Sequence, residues 1–411
     1  MKAARKILLG CPIILSILPA PAPSTAGLAV TARQALEGDA RAVKTLRAAG
    51  PAGMETLLKL ADSEPALVSS PAFNAALDAV CAQKDCAASH LYWYTDLEAA
   101  RAAAKLSGRP ILSLRLLGRL DEELSCANSR FFRTVLYANV SVSQALRERF
   151  VLHWQSERPV PKVTIDFGDG RRMVGTVTGN SIHYILDSNG RLVDALPGLY
   201  GPAAFLRHLN DAGDEARALT SVSGEVFTQG LKAYHVERLG IQARELAADL
   251  RQPGLEAPMA EGDWKVFVPP VLAASELTAS KSSVEVPLLK ALLPAPVEVS
   301  GERLAALAGL HMADARLDAA SRLLLLAKGG AWVKGDLGAI DRFEELIAAD
   351  TVRNEYLFHN QIHTWLARTA EAPDLKKFDE RVYSQLFLTP ASDPWLGLGP
   401  TELFSVLTPV G

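Results

Sequence analysis

Arg109-Pro110-Ile111-Leu112-Ser113-Leu114-Arg115-Leu116-Leu117-Gly118, followed after Arg119–Ser125 by Cys126-Ala127-Asn128-Ser129, is the stretch that decides the fold. Ile111–Leu117 is a short apolar run with strand character, and Gly118 ends it. Leu124–Leu136 reads as a helix, so Cys126 falls at a helix start just after a buried strand. Backbone N–H groups at a helix N-terminus stabilise a thiolate and lower its pKa, which gives that placement chemical content. Ser129 lies three residues on, on the same side of the first turn. Its hydroxyl can donate to the sulfur but cannot complete an intramolecular disulfide. Arg130 and Arg133 add positive charge close by.

Downstream of this stretch, Val142–Phe150 reads as a helix and Val151–Trp154 as a strand. Two hairpins follow. Lys162–Phe167 and Met173–Val177 flank Gly168-Asp169-Gly170, and Ser181–Leu186 and Arg191–Ala195 flank Asp187-Ser188-Asn189-Gly190. A helix at Pro202–Asn210 closes the pattern. Strand, helix, strand, antiparallel hairpin and helix predict an α/β unit with one compact sheet. Upstream, residues 30–104 are dominated by Ala, Leu, Glu and Arg and read as helices at Ala32–Ala49, Gly53–Leu60, Pro71–Val80 and Asp96–Leu106. Beyond the sheet, residues 225–252 return to helix. Gly254–Gly262 and Pro269–Pro296 lack periodicity and read as an irregular connector. Helices resume at Gly301–Ala308, Ala313–Leu326, Leu337–Ala348, Asp350–Ala367 and Leu375–Leu386. The tail from Phe387, with Trp395 and Leu396, reads as a cap on the helical core, with a docking surface as the alternative.

At the start of the chain Lys2, Arg5 and Lys6 precede the apolar run Ile7–Leu18, and Pro19–Ala26 supplies small residues suited to cleavage after Ala22 or Ala26. That is signal-peptide architecture, and an apolar run of about 12 residues is too short to span a bilayer. Leu8-Leu9-Gly10-Cys11 looks like a lipobox, but the hydrophobic run continues past Cys11, which therefore reads as part of that run. The expectation is an exported protein, bacterial periplasmic or extracellular, with no membrane span in the mature chain. With 411 residues, 49% apolar and 22% charged, the chain can bury several cores. A net charge of −3 with no basic stripe argues against nucleic acid. Removing the signal leaves Cys81, Cys86 and Cys126. The five-residue spacing of Cys81 and Cys86 permits a local disulfide in an oxidising compartment. The organisation expected is a signal peptide at 1–26, a helical N-terminal region at 27–104, an α/β domain at 105–212, a helix and irregular connector at 213–296, and a helical C-terminal domain at 297–411.

Several of these motifs, in order, resemble the thioredoxin-like superfamily over about residues 90–212. Ala102–Leu112 is similar to the helix, turn and first core strand of its exported members. Cys126-Ala-Asn-Ser129 falls where the family keeps Cys-x-x-Cys or a monothiol Cys-x-x-Ser. Val140–Val151 resembles the helix leading into the next strand, Ile185–Val193 resembles the later hairpin, and Leu196-Pro197-Gly198 with the helix from Pro202 matches the closing element. The approach to Cys126 through Gly118–Ser125 is longer than the family's usual loop. Position 129 is Ser, and the family's cis-proline position falls on Ile182, or on Ser181 if the loop shifts by one. The resemblance implies a thioredoxin-like α/β domain and two functions. One is monothiol exchange or redox sensing through Cys126 and Ser129, with Arg130, Arg133, Ser181 and Ile182 in support and a protein thiol or disulfide as partner. The other is a non-catalytic periplasmic binding or scaffold protein in which Cys126 is a buried structural thiol.

His359-x-x-x-His363 lies in a predicted helix, so both rings face one side, as a zinc site requires. Glu355, one turn earlier, is the nearest candidate for a third ligand. Core or surface histidines on an amphipathic helix are commoner than ligands, so the pair reads first as structural and no metal is expected. His90, His153, His183, His208, His235 and His311 form no local ligand spacing. Asp166, Asp169 and Asp187 sit at turns that they would cap. No Gly-x-Ser-x-Gly, phosphate-loop or dinucleotide fingerprint is present, so no dedicated cofactor is indicated.

Overall fold

Capping residues and prolines set the first helices. α1 is Thr25–Leu36, α2 Ala40–Ala48, α3 Pro51–Ser63 and α4 Pro71–Cys81. The Asp39 carboxylate accepts from the Arg41 and Ala42 N–H groups, and the Ser70 hydroxyl accepts from Phe73 N–H. Pro51 and Pro71 occupy first helical positions, where a missing N–H costs nothing. The four helices bury Leu46, Leu57, Phe73, Leu77 and Val80 in a core of their own. Gly53 lets α3 press on α2, since a Cβ there would lie 2.0 Å from the Leu46 carbonyl oxygen. This computed structural model describes residues 25–176, 178–252, 301–329, 338–394 and 396. The expected signal segment through residue 24 with Cys11, the connector at 254–296, Val177, Trp395 and the end of the tail lie outside the described residues.

A disulfide joins Cys81, at the end of α4, to Cys86, at the start of the short helix α5 (Cys86–Ser89). Asp78 organises the loop between them, accepting from Cys86 N–H at 2.9 Å and from Lys84 Nζ at 3.0 Å. Arg47 then ties this helical region to the sheet by donating to the carbonyls of Val80 and Trp93.

The sheet holds β1 (Trp93–Tyr94), β2 (Ile111–Leu117), β3 (Val151–Arg158), β6 (Ser181–Leu186) and β7 (Leu192–Pro197) in the order β1-β3-β2-β6-β7. β1, β3 and β2 are parallel, whereas β6 and β7 run antiparallel. α6 (Leu97–Ser107), capped by Asp96 and stopped by Gly108 at φ +67, carries the chain from β1 to β2. α8 (Val140–Arg149), reached through α7 (Ala127–Phe131), leads into β3. Every residue of β2 is buried, including Ser113, paired with His153 Nδ1 at 2.8 Å, and Arg115, which donates to Glu157 at 3.2 Å. Between β3 and β6 the strands β4 (Lys162–Asp166) and β5 (Arg172–Thr176) form a separate two-stranded hairpin with exposed Phe167, Met173 and Val174.

α9 (Pro202–Leu219) and α10 (Gly224–Asp249) follow, and the C-terminal segment is mostly helical. Its residues Ile347, Ile362, Leu366, Phe387 and Leu396 join one continuous core with Ile111, Leu114, Tyr184 and Leu196 of the sheet. The architecture is thus a helical N-terminal region, a central α/β region around a five-stranded sheet, and a mostly helical C-terminal region packed on that sheet. No helix among the described residues is long and apolar enough to cross a membrane.

The single helix expected over Ala32–Ala49 is broken between Leu36 and Ala40, where Gly38 takes φ +88 and Asp39 caps a new helix, and three further differences lie nearer the site. The helix expected over Leu124–Leu136 begins at Ala127, because the Cys126 backbone is extended and caps it, and its second half is a π turn at Phe132–Leu136. The helix expected to end at Asn210 continues to Leu219, since Leu209, Ala212, Ala216 and Leu219 extend its buried face. The run Asp350–Ala367 is widened by a π turn at Asn354–His359, a feature that often marks functional sites.

Candidate functional site

Cys126 is the N-cap of α7. Its Sγ accepts from the Ser129 backbone N–H at 3.4 Å, the position a serine or aspartate oxygen ordinarily fills. The side chain is wholly buried, in one core with Leu120, Phe131 and Val160. The Ser129 hydroxyl does not serve the sulfur as the sequence suggested. It accepts from the Ser125 hydroxyl at 2.9 Å, and it too is buried. Nor is Arg133 a spare positive charge for a thiolate. It is buried, donates to Asp85 at 3.0 Å and to the Glu123 carbonyl at 3.2 Å, and Lys328 joins Asp85 from the C-terminal segment at 2.7 Å. Arg130 donates to the Thr176 hydroxyl at 3.4 Å, and burial lowers its pKa.

Thr178–Ser181 packs against the same turn. The Asn128 amide donates to the Ser181 hydroxyl at 2.6 Å, and a Cβ at Gly179 would lie 2.8 Å from Asn128 Oδ1. Ser181 therefore touches the Cys126 turn through Asn128, while Ile182 is buried in the core with its backbone in β6. No cis peptide bond occurs among the described residues.

A second cluster is assembled by the fold alone. Asp194 projects from β7, His235 from α10, His359 from the π turn and His363 from the helix Asn360–Ala367, and all four are buried. His359 Nε2 lies 3.1 Å and His363 Nδ1 3.8 Å from Asp194 Oδ1, and His235 Nδ1 lies 2.8 Å from His363 Nδ1. The other nitrogen of His235, Nε2, donates to the Val193 carbonyl at 2.9 Å. Tyr234 donates its hydroxyl to Asp194 Oδ2 at 2.8 Å, and the Ala195 N–H donates to Oδ1 at 2.7 Å. Burial pushes His235 down to about 4 and also lowers His359 and His363. Burial opposes ionisation of Asp194, but the neighbouring His359 and His363, the former also through a hydrogen bond, outweigh it and hold the carboxyl well below the usual range. One carboxyl group thus faces three imidazoles among buried side chains.

No family model, curated protein or solved structure matches this chain.

Glu355, expected one turn before His359 as a third ligand, points elsewhere. Its carboxylate is 3.3 Å from His208 Nε2 and 3.6 Å from Arg207, and against the cost of burial these hold it down to about 2. The π turn is the physical reason: an i→i+5 turn displaces Glu355 relative to the His359–His363 face. Asp194 and His235 are the partners that sequence reasoning missed. Asp194 sits in a strand expected to be an ordinary half of a hairpin, and His235 stands alone in its helix. The one local sign at Asp194 is a carboxylate within the otherwise apolar run Leu192-Val193-Asp194-Ala195-Leu196.

Proposed function

We propose that this is an exported thioredoxin-like protein with a degenerate site, acting as a non-catalytic binding or scaffold module. The observation that carries the reading is the complete burial of Cys126, whose sulfur is engaged as a helix cap. An exchange thiol must meet a partner sulfur in line, which a side chain without accessible surface cannot do. Three features support the thioredoxin-like part. The strand, helix, strand, hairpin, helix order surrounds one sheet. The cysteine lies between β2 and a helix start. The segment ahead of β6 opposes it, with Ser181 against Asn128. Export rests on the basic and apolar start of the chain, and the Cys81–Cys86 disulfide suits an oxidising compartment.

The experiment is alkylation of the purified, unreduced chain across a pH series, with and without denaturant. The expected result is labelling of Cys126 only after unfolding. Rapid labelling of the folded chain, with a half-point well below the ordinary thiol value of about 8.5 and abolished by Cys126→Ser, would replace this reading with monothiol exchange.

A further inference from the structure

We propose that Asp194, His235 and His363, with His359 held against Asp194, form a buried binding site for a divalent transition metal of the zinc type. This inference is independent of the thiol.

The first support is spacing. Four ligands around zinc at bonds of about 2.0–2.1 Å lie about 3.3 Å from one another in a tetrahedron. The separations here are 2.8 Å for His235 Nδ1 to His363 Nδ1, 3.1 Å for His359 Nε2 to Asp194 Oδ1, and 3.8 Å for His363 Nδ1 to Asp194 Oδ1. The ligand atoms of Asp194, His235 and His363 all fall within 4.8 Å of one another, and His359 reaches this set through Asp194. The longer edges must close toward about 3.3 Å when an ion binds.

The second support is the placement of protons. A carbonyl only accepts, so the 2.9 Å contact to Val193 puts the proton of His235 on Nε2 and leaves Nδ1 a bare lone pair turned toward the cluster. Fixing a ligand imidazole by its far N–H on a backbone carbonyl is how metal sites set the tautomer, and the Tyr234 hydroxyl on Asp194 does the same for the carboxylate. Hydrogen bonding alone leaves this cluster half satisfied. His359 Nδ1 and His363 Nε2 are buried without a hydrogen-bond partner among the described residues, and a partly satisfied buried network costs stability. An ion at the cluster would replace the proton that His363 Nδ1 donates to His235 Nδ1 at 2.8 Å, so its binding releases a proton and strengthens with rising pH.

The donor set decides the ion. Imidazole and carboxylate without thiolate favour zinc, nickel, copper or cobalt over calcium and magnesium, which prefer all-oxygen shells. Because all four side chains are buried, no position is open to substrate, and the ion would be structural. It would join β7, α10 and the C-terminal helix at one point.

The test begins with elemental analysis of the full mature chain, as purified and after chelation and refolding with zinc. The expected result is one zinc per chain retained through gel filtration, with a melting temperature that rises with free zinc. Cobalt in its place should give the visible absorption of a tetrahedral nitrogen and oxygen site, unaltered by Cys126→Ser. His363→Gln should lose the ion. Tyr234→Phe, which keeps the packing, should weaken zinc affinity about 10–100-fold and serves where His363→Gln does not fold. Folded wild-type chain that takes up none of the four metals after refolding in excess would overturn the proposal. Unchanged zinc affinity in Tyr234→Phe, or stoichiometric zinc in a folded His363→Gln, would do the same.

Discussion

The Cys126 turn and the Asp194 cluster are both buried, yet they are built in opposite ways. At the turn, the sulfur, its N–H donor and the serine pair come from residues 125–129, with Asn128 Oδ1 left without a hydrogen-bond partner among the described residues. At the cluster, His235 and His363 meet across 128 positions, and His359 and Asp194 across 165. Two imidazole nitrogens there have no hydrogen-bond partner among the described residues. A local motif therefore announces itself in sequence and turns out to be a cap, whereas the chemically unbalanced site is written in scattered residues.

If that contrast is right, substitutions at the cluster should cost most. Asp194→Ala strands the Tyr234 hydroxyl and the His359 and Ala195 N–H groups, and should cost about 3–5 kcal/mol by urea unfolding, as expected for breaking a buried polar network. A loss under 1 kcal/mol would show that the cluster is no more than core filling. Replacing Cys81 and Cys86 together with alanine comes next. The loop they close is short, so chain entropy gives about 2 kcal/mol, measurable as a lower denaturation midpoint without change in fold.

The smallest effect sharpens the comparison at the thiol. Cys126→Ala removes the cap and should cost about 1–2 kcal/mol, whereas Cys126→Ser keeps a cap oxygen and should lie closer to wild type. Equal losses in the two variants would refute the capping role. A pH series adds a test outside both regions. Hydrogen bonds that the His311 ring donates to Asp314 and Asp249 outweigh partial burial and raise His311 from 6.5 to about 9. Because the folded value is the higher, this contribution is complete below pH 6.5 and is lost as the pH rises toward 9. His311→Gln should flatten that part of the stability profile, and an unchanged slope would remove His311 as its source.

The fold was legible where periodicity and turn chemistry are local. The β2 strand, the Asn189-Gly190 hairpin and the helical character of the N-terminal region follow from neighbouring residues, whereas the sequence reading omits the Asp39, Ser70 and Asp96 caps, and the helix expected across Ala32–Ala49 breaks where Asp39 caps α2. The π turns were not legible, because i→i+5 widening answers to packing around Phe132 and Tyr356 rather than to any residue preference. The His359–His363 pair was visible through its spacing. Its partners were not, since nothing in the residues around His235 or Asp194 says that β7, α10 and the C-terminal helix will converge. Burial of Cys126 was equally out of reach, because it depends on the sheet, on Val160 and on the C-terminal segment that roofs them.

The span from Asp194 to His359 also imposes an order of events on biosynthesis. The chain is made from its N-terminus, so the central sheet emerges well before residues 359–363 exist. Until they arrive, Asp194 is covered only from the side of α10, where Tyr234 holds Oδ2, and the C-terminal part of its surroundings is missing. Completing that cover is a late, long-range step, slow by the same loop-closure entropy that slows any distant pairing. A chain cut short before His359 would keep the Tyr234 contact but leave Oδ1 without its His359 partner, and so would carry the mark of an unfinished product.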